Sequence, residues 1–279
     1  MNKDDAFTEQ YNKLNKAQKE AVDTLEGPVM VVAGPGTGKT QILALRILNI
    51  LKKGVAPADS ILCLTFTNSG VKAMKSRLED YVGNVSNRVH VSTFHSFAGD
   101  LVEKNFNLLG LEIMSKLLED DEKISLADGI MQDNVWEYLR PRSNPTLYFN
   151  DLNQLISVLK RERLSPEEFL SEVKSDIKNL ESDPNSLSTR GESKGKLKKE
   201  IEKKIESLQR TLEVVKFYEL YEAKKKETSY MDYDDVLEYA VRLVEEYEDV
   251  RADVFENFLY VLVDEHQDSI VVQNNFLKA

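Results

Sequence analysis

"VMVVAGPGTGKT", Val29 to Thr40, passes within twelve residues from an apolar run into alternating glycines, a lysine and a threonine. The apolar part reads as a buried strand. Gly34, Gly36 and Gly38 free the backbone for conformations that a Cβ forbids, so that N–H groups of the loop Gly34-Pro35-Gly36-Thr37-Gly38 can converge on one anion. Lys39 adds a compact positive charge beside that nest, and Thr40 offers a hydroxyl to a metal ion. The apolar-periodic "TQILALRILNIL" that follows reads as a helix whose N-terminus also favours phosphate. Ala33 stands where the strict pattern G-x-x-x-x-G-K-[ST] has its first glycine, so the looser Ala-or-Gly form is matched. Each part points at a nucleoside triphosphate.

With 279 residues, 41% apolar and 30% charged, the chain has room for one large or two ordinary domains with a proper core. Its single cysteine, Cys63, excludes an internal disulfide and a Cys-rich metal site, and its place in "ILCLTF" predicts a buried strand residue. No stretch approaches the ~20 apolar residues that span a bilayer. A soluble, cytoplasmic protein without a membrane partner is expected. The net charge of −11 argues against a nucleic-acid surface spread over the whole molecule. The charge is segregated, however: Lys194 to Lys226 holds eleven basic and six acidic residues, and Tyr230 to Ile270 two basic and thirteen acidic. A local basic face therefore remains open, although charge alone favours a solvated amphipathic helix with Glu–Lys pairs.

Outward from the glycine loop, "LNKAQKEAV" (Leu14 to Val22) has helical spacing, and "EGP" ends it. "ADSILCLTFTN" reads as a second buried strand followed by the helix "SGVKAMKSRLEDYV". "RVHVSTFHSFAGDLVEKNF" reads as a third strand feeding another helix. Strands alternating with helices imply an α/β fold with a parallel sheet. From about Leu111 the pattern turns to long, charge-rich helices with no convincing strand, which reads as an inserted all-helical subdomain. Within it "ESDPNSLSTRGESKG" reads as a loop, and Trp136 as a packing residue. The strand signal returns with "NFLYVLVDEHQDS", where the apolar run Tyr260 to Val263 ends at two carboxylates. The expected division is 1–110 and 230–279 for the nucleotide-binding domain and 111–229 for the insertion.

A phosphate loop needs a carboxylate at the end of a neighbouring strand to anchor Mg²⁺ from the protein side. Asp264 suits that task, holding the metal with Thr40 through its water shell. Glu265 suits a general base that orients the attacking water. Lys39 and Asp264 lie 225 residues apart, far more than a small GTPase or nucleoside kinase places between such a pair, so a large insertion must separate them.

In this order, "LNKAQKEAV", "AGPGTGKT", "LTFTNSGVKAMKSRL", "VSTFHSF", "DYDDVL" and "VDEHQDS" resemble the successive motifs of the UvrD/Rep family of superfamily I DNA helicases, over most of residues 13 to 279. The resemblance implies a RecA-like P-loop domain, ATP and Mg²⁺ as cofactors, and DNA with single-stranded and duplex-junction parts as partner. It implies that Gln18 reads the adenine edge and that Gln267 senses the γ-phosphate, beside Lys39 and Glu265 in turnover. It also implies that Thr65, Phe66, Thr67 and Asn68, with Thr93, Phe94 and His95, line a single-strand path. Hydroxyls, an amide and an imidazole can hold phosphates while a ring stacks on a base. On the residues alone, Phe66 and Phe94 read equally as core aromatics, His95 as a satisfied histidine, and "DYDDVL" (Asp232 to Leu237) as an acidic helix cap.

Two positions depart from the family pattern. Gln41, beside the nucleotide loop, stands where the family usually has arginine, and His266 where it more often has a bulky aromatic. The sequence stops at "VVQNNFLKA", before the family's next strand and its second motor domain. The chain is thus expected to be the N-terminal part of a 3′ to 5′ helicase that binds ATP but hydrolyses it poorly by itself. The competing expectation is a nucleotide-dependent DNA- or protein-binding switch that is not a motor.

Overall fold

The computed structural model describes residues 3–34, 36–111, 115–139, 145–188 and 195–279. Two compact units emerge: Met1–Asn105 with Tyr239–Ala279, and Phe106–Glu238.

The first unit is built on a three-stranded parallel sheet. β1 (Ile61–Thr65) is central, with β2 (His90–Thr93) on one edge and β5 (Tyr260–Val263) on the other. All five residues of β1 are buried, as expected of a continuous apolar run covered on both faces. Cys63 is opposite Val91 of β2 and Leu262 of β5. Burial, helped by the charge of Asp264, pushes its thiol up to about 12. The helices of this unit that precede, join and cover the strands are α1 (Lys3–Asn12), α2 (Lys16–Asp23), α3 (Lys39–Lys52), α4 (Asn68–Val82) and α5 (Phe94–Asn105). Ala44, Ile47, Leu48 and Ile50 of α3 join Ile61, Cys63, Met74, Leu78 and Leu262 in the main core. The first unit also holds the later part of α10 (Tyr233–Glu246), then α11 (Glu248–Asn257), which leads into β5, and α12 (Val271–Lys278).

The expected strand at Val29–Val32 is not formed. Residues 28–34 carry no regular secondary structure, and Met30 and Val32 are 77% and 90% exposed. A strand is a pairing rather than a propensity: its amide groups need a ladder, and β5, which pairs with β1 along one edge, gives this stretch none.

The second unit contains β3 (Lys116–Leu117), α6 (Asp120–Asp133), α7 (Pro145–Arg161), α8 (Pro166–Ser182), α9 (Lys199–Glu227), β4 (Tyr230–Met231) and the first part of α10 (Tyr233–Glu246). It is not wholly helical, since β3 and β4 pair in parallel. Two residues per strand are too few for alternation to show in a sequence. Its core gathers Trp136, Phe149, Leu152, Ile156, Phe217, Tyr218 and Tyr221. Glu213 of α9 fixes the segment before α7 by accepting from the backbone N–H groups of Glu137, Tyr138 and Leu139 at 2.6, 2.8 and 2.7 Å. Burial works against this carboxylate's charge, but those three donors prevail and hold its pKa low.

Under α10 the acidic motif does what a helix cap does and more. Asp232 and Asp235 cap reciprocally, each accepting the other's backbone N–H at 2.9 and 2.7 Å. Lys225, 3% exposed in its side chain, donates to Asp232 and Asp235 at 2.8 and 2.6 Å and is paired with Glu222 at 2.8 Å. Lys160 of α7 donates to both oxygens of Asp232 at 2.7 and 2.8 Å and also to Asp235. Glu222, Asp232 and Asp235 bring carboxylate oxygens within 4.8 Å of one another, a spacing that a metal ion could bridge. The two lysine ammoniums already occupy that role. Among the described residues, no helix is long and apolar enough to cross a membrane.

Candidate functional site

α3 begins without a side-chain cap. Its N-cap residue, Gly38, sits at φ 84° and ψ 30°, a left-handed conformation that glycine adopts without strain. Gly36 has φ 75°. The first-turn N–H groups of α3 therefore face outward past two glycines, an arrangement suited to an anion. Thr37 closes the loop on itself, its hydroxyl donating to the Gly34 carbonyl at 2.7 Å. Lys39 Nζ lies 3.5 Å from the Ala33 carbonyl, a long bond that can be exchanged for a stronger one at little cost. Pro35 of the expected loop lies outside the described residues.

β5 delivers the acidic motif to this loop. Asp264 continues the ladder, its N–H donating to Leu64 at 2.9 Å, and its carboxylate is buried, 8% exposed. The Thr40 hydroxyl donates to Asp264 Oδ2 at 2.9 Å, a contact across 224 residues of chain. Both are hard oxygen ligands. Mg²⁺ takes such oxygens and keeps several of its waters, so the two side chains together would hold it, the carboxylate through that water shell. The pair thus fits the metal inferred from the sequence.

Glu265 follows in a left-handed conformation, φ 55° and ψ 38°. A non-glycine residue held there stores strain of about 1–2 kcal/mol, a common mark of functional positions. Its N–H donates to Asp264 Oδ1 at 3.1 Å, and its carboxylate accepts from the Gln267 amide. The turn therefore presents Asp264, Glu265 and Gln267 as one hydrogen-bonded group.

Gln18 is held before any ligand arrives. Its Oε1 accepts from Asn15 N at 2.9 Å in the cap of α2, and its Nε2 donates to the Thr37 carbonyl at 3.3 Å. One lone pair and one N–H remain on that fixed amide, an acceptor and a donor side by side. Gln41 Nε2 donates to Gln10 Oε1 of α1 at 3.2 Å. Gln10 was invisible to motif reading because it lies before the first recognisable segment.

The expected strand-binding residues are divided by burial. Thr65, Thr93 and Phe94 are interior, at 2%, 8% and 3% exposure, whereas Phe66 is 42% exposed. Thr67 and Asn68 are also exposed, and His95 is half-buried. Thr67 caps α4 by accepting from Gly70 N at 3.0 Å, and Thr93 accepts from Ser96 N at 3.1 Å at the start of α5. Periodicity could have assigned Phe94 inward; nothing in the motif distinguishes it from Phe66.

A family model described as the UvrD/REP helicase N-terminal domain matches residues 14–279. The chain is 27% identical over 267 residues to the ATP-dependent DNA helicase PcrA of Staphylococcus epidermidis, covering 95% of this chain and 31% of that protein. It is 28% identical over 268 residues to PcrA of Bacillus subtilis, with 95% and 31% covered. It is 25% identical over 265 residues to the ATP-dependent DNA helicase Rep of Buchnera aphidicola, with 95% and 33% covered. The chain spans about a third of the length of these relatives.

Proposed function

The chain belongs to the UvrD/REP helicase N-terminal domain family, and from that membership we propose that it is the ATP-binding part of an ATP-dependent DNA helicase moving 3′ to 5′. The observation that carries this reading is the Thr40–Asp264 hydrogen bond, which joins the glycine loop to the end of β5. In the proposed site the loop Gly34 to Gly38 and the first turn of α3 cradle the phosphates. Lys39 pairs with their charge, and Thr40 and Asp264 hold Mg²⁺, which when bound neutralises charge developing on the phosphates. Glu265 orients the attacking water and accepts its proton, Gln267 senses the γ-phosphate, and Gln18 reads the base.

A RecA-like domain of residues 1–110 and 230–279 carries this site, and 111–229 form its insertion. Phe66, Thr67, Asn68 and His95 supply the DNA-facing surface, with Thr65, Thr93 and Phe94 buried beneath them as support. A second motor domain of the whole protein completes the nucleotide site, since an arginine reaching the transition state is worth ~10³ or more in rate. The part described here accordingly binds ATP and turns it over poorly.

The test is ATP hydrolysis by the whole protein with and without single-stranded DNA. Strong stimulation is expected. Tight nucleotide binding with negligible turnover, with or without DNA, would replace the motor by a nucleotide-dependent switch.

A further inference from the structure

α2 carries Gln18 in its first turn, and at eight residues it is too short to keep its place by itself. It is pinned at both ends. At its start the Gln18 carboxamide cannot turn over, because Asn15 N only donates to its oxygen, at 2.9 Å, and the Thr37 carbonyl only accepts from its nitrogen, at 3.3 Å. Along its length Ala21 and Val22 pack with Ile42 and Leu45 of α3.

Its far end has no glycine cap. The C-cap residue Thr24 sits at φ −77° and ψ 94°, and its N–H and hydroxyl both donate to the Glu20 carbonyl. The next carbonyls, which a helix end leaves unpaired, are taken by side chains of α3. Arg46 donates to the Ala21 carbonyl at 2.7 Å and also to that of Thr24. Asn49, 5% exposed, donates to the Val22 carbonyl at 3.0 Å and to Asp23 Oδ1 at 3.3 Å. Both directions are fixed, since a guanidinium only donates and the partners of the Asn49 nitrogen only accept. Burial lowers the pKa of Arg46, and among the described residues no carboxylate pairs with it. A half-buried cation thus faces the C-terminal carbonyls of α2, whose dipole favours it.

We propose that Arg46 is a positioning residue for the base: by tying the end of α2 to the body of α3, whose first turn cradles the phosphates, it fixes Gln18 relative to that cradle. The proposal rests on the nucleotide site and on the base-reading role of Gln18 assigned above. Nucleoside binding then depends on Arg46, while phosphate binding does not, because the Thr37 hydroxyl closes the phosphate loop on Gly34 without help from α2.

The test titrates the 279-residue chain with Mg²⁺ and a fluorescent ATP analogue, which inorganic tripolyphosphate then displaces to give the affinity of the phosphate site alone. Arg46→Met is expected to lower the preference for the ATP analogue over tripolyphosphate about 3- to 10-fold, the effect of one hydrogen bond, with tripolyphosphate affinity unchanged. Arg46→Lys, whose ammonium can donate to the same carbonyls, restores most of it. Gln18→Leu gives a loss of the same size, and Arg46→Met added to it gives no further loss, because both act through one contact. A merely structural role for Arg46 would add its own loss to that of Gln18→Leu. Asn49→Leu is a milder cut in the same tie and lowers the preference in the same way, which decides the matter if Arg46→Met does not fold. An unchanged preference in Arg46→Met and Asn49→Leu, or additive losses in the double variant, overturns the inference and leaves the nucleotide site standing. No preference in the wild type removes the base-reading role of Gln18 and the inference with it, and failure of the wild type to bind either ligand removes the phosphate site as well.

Discussion

Lys225→Met is expected to destabilise the second unit by about 3–5 kcal/mol, because it leaves three buried carboxylates with Lys160 as the one cation of the cluster. Methionine keeps the length of the stem, so packing changes little. What is lost is the ammonium that contacts Glu222, Asp232 and Asp235 at 2.6–2.8 Å. Urea unfolding followed by the fluorescence of Trp136, the only tryptophan and a core residue of this unit, reads the change directly. Adding Glu222→Gln to the variant should restore part of the loss by removing one of the stranded charges. A change under 1 kcal/mol would mean that water reaches the cluster and screens it.

The same network sets a pH window. Burial opposes the charge of Asp232, but Lys160 and Lys225 outweigh it and hold the carboxyl well below its usual range. A depressed carboxylate contributes stability that is complete above the unfolded value of about 4 and is lost as pH falls below it. For Lys160 burial likewise works against the charge, and Asp232, Asp235 and Glu222 more than reverse it, raising its pKa. That contribution is complete below the unfolded value of about 10.4 and is lost as pH rises through the folded one. Between those limits the network should give this unit a flat stability profile.

Lys39→Ala is expected to weaken binding of a fluorescent ATP analogue with Mg²⁺ by about 10- to 150-fold, the range for a hydrogen bond to a charged group. Among the described residues Lys39 makes only the long contact to Ala33, so the substitution should leave the fold and its circular dichroism unchanged. The backbone nest and helix terminus remain, which is why binding weakens without vanishing. Equal affinity in variant and wild type would remove the phosphate site from Gly34–Thr40.

Much of this site is legible because its chemistry is local. Glycines that permit a left-handed turn, the lysine after them and the carboxylate at a strand end must sit at fixed chain positions. The run Tyr260 to Val263 is a strand as read, and Asp264 meets Thr40 as its place predicts. Legibility fails where a partner decides. Val29–Val32 has the composition of a strand and no ladder to join. Phe66 and Phe94 occupy like motifs, and the side chain of one faces solvent while the other is interior. "DYDDVL" was readable as a cap, but Lys160 and Lys225, which lie 72 and 7 residues from Asp232, were not readable as its counter-ions. Gln10 meets Gln41 only because α1 folds back on α3.

Trp136 and Cys63 are each the only residue of their kind, and they fall in the cores of different units. A thiol buried in the middle row of the sheet and pushed up to about 12 has almost no thiolate to offer a reagent while the strands are closed. Its labelling therefore counts openings of the sheet, while indole emission follows the other core. In one denaturant series, with no residue substituted, the sequence carries two independent clocks. Coincident transitions would identify a single cooperative folding unit, and separated ones would give the order in which its parts come undone.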